Sequence, residues 1–490
     1  MKKIVPLFFC VCLVTLCGLF CGCAQQNQLT NYDIFITYND FTKTAEGSVV
    51  CDYLNSSDNA LSLVMFDLYA NAFSEAADGM TVGVSSEAKA YPNGKSYGGI
   101  AISGVKVNSN KVDFALEGKA DTKLCVPLVE NLYPDERAKI EITFSINLPN
   151  INHRFGWGDN AVNFANFYPV ACRYTEGAGF CKDEYIANGD PFCSDVANYS
   201  VTVSYPQNMK IACGGDEIKS RTNGELVTTT FTSKNVRDVS FVLSEKFSHI
   251  SAKTGKTTID YFYYDDSDAQ GSLASATQAV EFFNDKFGDY PYLNLAVVQT
   301  NFVHGGMEYP RLVMISDQVR GEDYKYVIIH EIAHQWWYGV VGNDEYNEPW
   351  LDESLTEYST ALFYENHDSY ALSYDSIVNG ASDTYKFFLK IYGSVTGEVD
   401  TSMNRSLDEF KTEPEYVNNI YTRGILMFDA LRSVLGERKL YACLKAYYQN
   451  YSYKIASTDD FIDCFSRKSG INLQSFFDSW LNGKVEFVIA

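Results

Sequence analysis

The sequence predicts two folded domains in series, an all-β, sandwich-like N-terminal domain followed by an α+β, mostly helical one. Three observations predict it. The chain has 490 residues, too many for one compact domain. From Asn31 to about residue 250, short runs that alternate in polarity or are rich in β-branched residues lie between turn signals. After Ser272 the apolar period lengthens to that of helices. The 35 Tyr and 32 Phe suit half-buried strand faces, which supports a large β portion. A hydrophobic share of 46% against 21% charged excludes a wholly disordered chain. A formal charge of -23 repels phosphate backbones, so no nucleic acid is expected as a partner, and the acidity reads as solubility.

The first residues read as an address. Lys2 and Lys3 precede an apolar run from Ile4 to Cys21, which predicts a secretory signal over 1–22. Pro6 and Gly18 argue against a bilayer-spanning anchor. Leu19-Phe20-Cys21-Gly22-Cys23 resembles a bacterial lipoprotein box, with Phe20 where that pattern usually has Leu. The resemblance implies lipid on Cys23, a tether over 23–30, and a protein held outside the cytoplasmic membrane; plain secretion is the alternative. Eight cysteines follow Cys23, and no C-x-x-C pair occurs, which disfavours a cysteine zinc site. Cys172, Cys181, Cys193 and Cys213 permit two disulfides in an exported protein, and small buried thiols are the equal alternative.

The elements follow in order. Runs 32–38, 140–146 and 199–205 are strands of a sheet with one face buried. The β domain is expected over 31–250 and the second domain over 251–490. Leu273, Ala276, Val280, Phe283 and Phe287 recur at helical spacing, and Gly288 stops that helix. Strands are expected at 295–298 and 312–315. Helices follow near 324–340 and 352–364, then at 416–435, 437–450, 457–468 and 473–482.

Two of these helices carry chemistry. His330-Glu331-Ile332-Ala333-His334 is an H-E-x-x-H motif, and residues four apart share a helix face, so both imidazoles can reach one cation. Glu331 can reach a metal-bound water without ligating the metal. Val327, Ile328, Ile329, Trp336 and Trp337 flank the motif, which places it on a core helix whose polar groups need partners. Glu353, after 18 intervening residues, lies on the next predicted helix and supplies a third ligand. Two imidazoles and one carboxylate leave a fourth position open, the mark of a catalytic zinc. Glu357, one turn further, is placed to accept a hydrogen bond from a ligand imidazole, or is an exposed carboxylate.

This constellation resembles the gluzincin aminopeptidases, the group of aminopeptidase N and leukotriene hydrolase. Gly305-Gly306-Met307-Glu308-Tyr309 is similar to that family's G-x-M-E-N motif, with Tyr309 where the family has Asn. Tyr421-Thr422-Arg423-Gly424 is similar to its Tyr-x-x-Gly segment, and Tyr416 matches a recurrent tyrosine. Asn166-Phe167-Tyr168-Pro169-Val170 and Gly189-Asp190-Pro191-Phe192 resemble its N-terminal β domain. The family's large helical domain has no counterpart after 476–482, which implies a short two-domain form and more open substrate access.

The resemblance implies a thermolysin-like zinc peptidase domain with one zinc ion on His330, His334 and Glu353. It implies Glu331 as general base and Tyr421 as the phenol that stabilises the oxyanion. Glu308 would pair with a peptide's free ammonium, which selects peptides with a free N-terminus. Gly305 and Gly306 would let a peptide backbone approach a strand edge. The expected activity is release of N-terminal residues. The alternatives are a related zinc endopeptidase or dipeptidase, or a surface binding protein of this fold without turnover.

Overall fold

The computed structural model describes residues 29–487. The expected signal segment, the lipid site at Cys23 and most of the tether lie outside the described residues. Among the described residues, no helix is long and apolar enough to cross a membrane.

An eight-stranded sheet forms the N-terminal body. Asn31–Asn39, Arg137–Asn147 and Ala197–Pro206 all belong to it, and each contains one of the strands read from sequence. In Asn31–Asn39 every second residue from Tyr32 to Tyr38 is buried, as a strand with one face on a core requires. Asn31–Asn39 pairs in parallel with Ala197–Pro206, Ile34 opposite Val201, so both strands turn their apolar residues to the same face. Two four-stranded sheets complete the β domain around this face.

The second domain opens on a five-stranded sheet. Its order runs Ser248–Thr254, Thr257–Tyr263, Asn294–Thr300, Leu312–Ser316, and then Gly306–Met307 at the edge. The edge strand runs antiparallel to Leu312–Ser316, with Gly306 opposite Ile315. Helix Ala269–Lys286 packs on this sheet and on helix Gly321–Ala333, which carries the H-E-x-x-H motif.

Three helical segments differ from the sequence expectation. The motif helix ends at Ala333 with His334 as its cap, not near residue 340. Beyond it the chain turns tightly: Tyr338 adopts φ +105°, and its N–H bonds back to the carbonyl of Val341. Trp336 and Trp337 therefore fill the core from a turn rather than from a helix face. Tyr374–Thr396, a helix of 23 residues, was not expected. It buries only Ala381, Tyr385 and Phe388, and it contains Gly380 and Gly393, which are poor helix formers.

The expected 416–435 helix is three pieces: Glu413–Val417, a π-helical turn Asn418–Thr422, and Arg423–Leu435. Ser354 Oγ caps the carbonyl of Ile420 at 2.6 Å. A β-carbon on Gly424 would lie 2.5 Å from Ser354 Oγ, so glycine is what permits this close approach of two helices. All eight described cysteines are free thiols, seven of them buried, so the thiol alternative is the one realised.

Candidate active site

Three donor atoms converge at the junction of the motif helix and helix Glu353–Glu365. His334 Nε2 lies 3.2 Å from His330 Nε2 and 3.2 Å from Glu353 Oε2, and His330 Nε2 lies 3.5 Å from the same oxygen. Ligands of a tetrahedral zinc at bond lengths of about 2.0–2.1 Å stand roughly 3.3 Å apart, so the triangle fits one zinc ion. The other ring nitrogens are held. His330 Nδ1 lies 2.7 Å from Glu357 Oε2, and His334 Nδ1 lies 3.1 Å from the Trp337 carbonyl and from Thr356 Oγ1. Such partners orient the rings so that both Nε2 atoms face the gap. Glu357 is itself fixed by Tyr326, whose hydroxyl donates to Oε1 at 2.7 Å.

Helix Glu353–Glu365 buries 11 of its 13 residues, so Glu353 projects from the core rather than the surface. Burial works to raise its pKa, but His334 and His330 hold the carboxyl well below the ordinary carboxylate range. Burial lowers the imidazole of His334, yet Glu308 and Glu353 beside it prevail and push it up to about 10. This excess of negative charge is what a divalent cation would neutralise.

Glu331 is buried, and burial raises its carboxyl to about 7. Glu308 sits on the loop after the edge strand. Gln335 Nε2 donates to its carbonyl and to that of Tyr309, each at 3.2 Å, which ties this loop to the end of the motif segment. Burial, and then the charges of Asp190 and Glu331 nearby, push the Glu308 carboxyl well up. Tyr309 has a role of its own: its hydroxyl donates to Asn166 Oδ1 of the β domain at 2.6 Å.

Tyr421 stands on the π-helical turn, and its hydroxyl donates to Glu353 Oε1. Tyr416 and Tyr421, five residues apart, come onto one face through this turn, ring centroids 5.8 Å apart. All nine residues singled out from sequence, namely Gly305, Gly306, Glu308, His330, Glu331, His334, Glu353, Glu357 and Tyr421, line one cavity of about 440 Å³.

Sequence reasoning missed part of its wall. Asp190 offers a carboxylate oxygen within 4.8 Å of ligand atoms of Glu308 and Glu353. Buried Arg154 fixes Asp190, Nη1 to Oδ1 at 2.6 Å. Gly189 adopts φ +65°, and a β-carbon there would lie 2.6 Å from the Tyr416 hydroxyl. In sequence Gly189-Asp190-Pro191 looks like any turn; only its place in the family-like segment marked it.

Two imidazoles and a carboxylate from adjoining helices, with a glutamate beside the first histidine, define a metallopeptidase centre of the gluzincin type. The model of the peptidase family M1 domain matches residues 272–480. It is 28% identical to human aminopeptidase B over 220 residues, 40% of this chain and 32% of that protein. It is 25% identical to aminopeptidase N of Lactococcus lactis subsp. lactis over 290 residues, 54% of this chain and 33% of that protein. The chain thus spans about a third of the length of these relatives. In fold it is similar to the M1 zinc metallopeptidase from Deinococcus radiodurans, with TM-score 0.67 and 17% identity over 94% of this chain and 95% of the other. That protein has also been seen, in substituted form, bound to the substrate Tyr-Ser-Ala.

Proposed function

We propose that this protein is a zinc-dependent aminopeptidase that releases N-terminal residues from peptides with a free amino terminus. A zinc ion on His330, His334 and Glu353 would supply Lewis acidity toward a peptide carbonyl and acidify a bound water. Glu331 accepts a proton from the attacking water and returns it to the leaving amine, a task suited to a carboxyl poised near neutrality. Tyr421 directs its hydroxyl at the oxygen on which negative charge develops. Glu308 and Asp190 face the substrate ammonium, and Gly305 and Gly306 receive the peptide backbone along the sheet edge.

The observation that carries this reading is the closeness of Glu308 to the metal triangle. Glu308, Glu331 and His334 each offer a ligand atom within 4.8 Å of the others. A substrate ammonium paired with Glu308 therefore leaves room for only one residue before the scissile carbonyl, which favours an exopeptidase over an endopeptidase. The relatives named aminopeptidase B and aminopeptidase N support the same class.

Paired free and N-acetylated peptides, assayed with and without a chelator, test it. Chelator-sensitive cleavage of the free peptides alone is expected. Equal cleavage of the acetylated set would point to an endopeptidase, and binding without cleavage of either to a receptor. For residues 1–30 we propose a signal segment and a lipid tether on Cys23, with the enzyme held outside the cytoplasmic membrane. Metabolic labelling with palmitate, lost in Cys23→Ala, tests that.

A further inference from the structure

Beside Glu308 lie two further buried carboxylates, Glu345 and Asp352, that the proposed reaction does not use. Glu308, Glu345 and Asp352 each offer one oxygen, and these atoms all lie within 4.8 Å of one another. All three residues are at least 96% buried. Neither carboxylate oxygen of Glu345 accepts from a donor among the described residues, its only hydrogen-bond-range neighbour being the Asp352 carboxyl, and Glu308 Oε1 accepts from none. Asp352 occupies the N-cap position of helix Glu353–Glu365, yet its side chain does not cap that helix. It accepts instead from Asn343 Nδ2 at 3.0 Å. Arg154, the buried basic side chain of the adjoining cavity, is committed to Asp190, and the other, Lys89, is exposed.

Three buried carboxylates are costly, because burial removes the water that would solvate them, and the imidazole that acts on Glu308 and Asp352, His334, faces the metal triangle. Protons or a cation must balance them. The donor set selects the class of cation. It is all oxygen, with no imidazole or thiolate, which suits hard ions rather than zinc. Calcium bonds of about 2.3–2.6 Å tolerate the spread and irregularity of such a set better than the strict octahedron of magnesium. Glu308 also lines the neighbouring cavity, whose wall includes neither Glu345 nor Asp352.

We infer that Glu345, Asp352 and Glu308 form a second cation site, for a hard divalent ion of calcium size, beside the zinc centre. The ion joins the 342–350 loop, the head of the Glu353 helix and the loop after the edge strand. Glu308 bridges, with one oxygen toward this ion and the other available to a substrate ammonium. Binding of this ion does not require turnover, whereas the bridging role of Glu308 rests on the peptidase reading.

Terbium titration of the zinc-loaded full chain tests it, read by tyrosine-sensitised luminescence and competed with Ca²⁺, with zinc content followed by elemental analysis. One Tb³⁺ per chain, displaced by Ca²⁺ while zinc stays bound, is expected. Glu345→Gln, which keeps the shape and removes the charge, should weaken that binding at least tenfold and abolish the rise in Tm that Ca²⁺ gives the parent. Asp352→Asn should do the same, whereas Asp285→Asn on the exposed surface should change neither. Absence of a Ca²⁺-displaceable ion in the parent, or equal binding by parent and Glu345→Gln, overturns the site and leaves shared protons as what balances the carboxylates.

Discussion

Gly306 and Glu331 occupy one volume: a β-carbon on the strand-edge glycine would lie 2.5 Å from Cγ and Cδ of the glutamate. The G-x-M-E segment and the H-E-x-x-H segment are thus fitted to each other as well as to a substrate. Gly306→Ala must displace the Glu331 carboxylate. A shift of about 1 Å in a reacting group costs up to roughly 100-fold in rate. Steady-state assays should show kcat reduced by that order with zinc content unchanged. Full activity in this variant would mean that Glu331 is not the base.

Tyr421 donates to Glu353, so removing its hydroxyl tests two roles at once. If the phenol serves the developing oxyanion, Tyr421→Phe should lower kcat by about 10²–10³ and leave KM and bound zinc near the parent values. Loss of zinc with the activity would assign the phenol to orienting Glu353 instead.

The chain Tyr326–Glu357–His330 holds one ligand ring from behind. Glu357→Gln should weaken zinc binding by about 10–100-fold, and Tyr326→Phe by less, in competition with a chromogenic chelator. Affinity equal to the parent in both variants would reduce Glu357 to a bystander.

Asp238 supplies a pH signature outside the metal centre. It accepts from Tyr168 Oη at 2.6 Å, Asn166 Nδ2 at 2.9 Å and its neighbour Val239 N at 2.6 Å. Burial nevertheless raises its carboxyl to about 7. Between about pH 4 and 7 the folded protein keeps a proton that the unfolded chain has released, so this group's contribution makes stability fall as pH rises through that window. The slope is at most about 1.4 kcal/mol per pH unit. Denaturant titrations should show that part of the slope vanish in Asp238→Asn. An unchanged profile would mean that the carboxyl is already ionised throughout.

The metal triangle was legible because its signal is local. His330, Glu331 and His334 share one helix turn, and Glu353 starts the next helix. Glu308 was legible through its motif, and the meaning of Tyr309 was not. Its phenol reaches Asn166, 143 residues earlier, a separation at which spacing carries no information. Arg154 and Asp190 escaped for the same reason, since an ion pair inside another domain leaves no period behind. The Tyr374–Thr396 helix escaped because Gly380 and Gly393 read as interruptions, although its apolar residues do recur at helical spacing. The π-helical turn before Arg423 escaped because one inserted residue resembles ordinary helix in the pattern while moving Tyr421 onto the face of Tyr416.

The Asp190 loop belongs to a part of the molecule that holds none of the bond-breaking groups, yet it borders the space where a substrate's leading residue would lie. Mutation there can retune diet without touching the engine. What that space accepts would then be set from one domain, and the cutting done by the other.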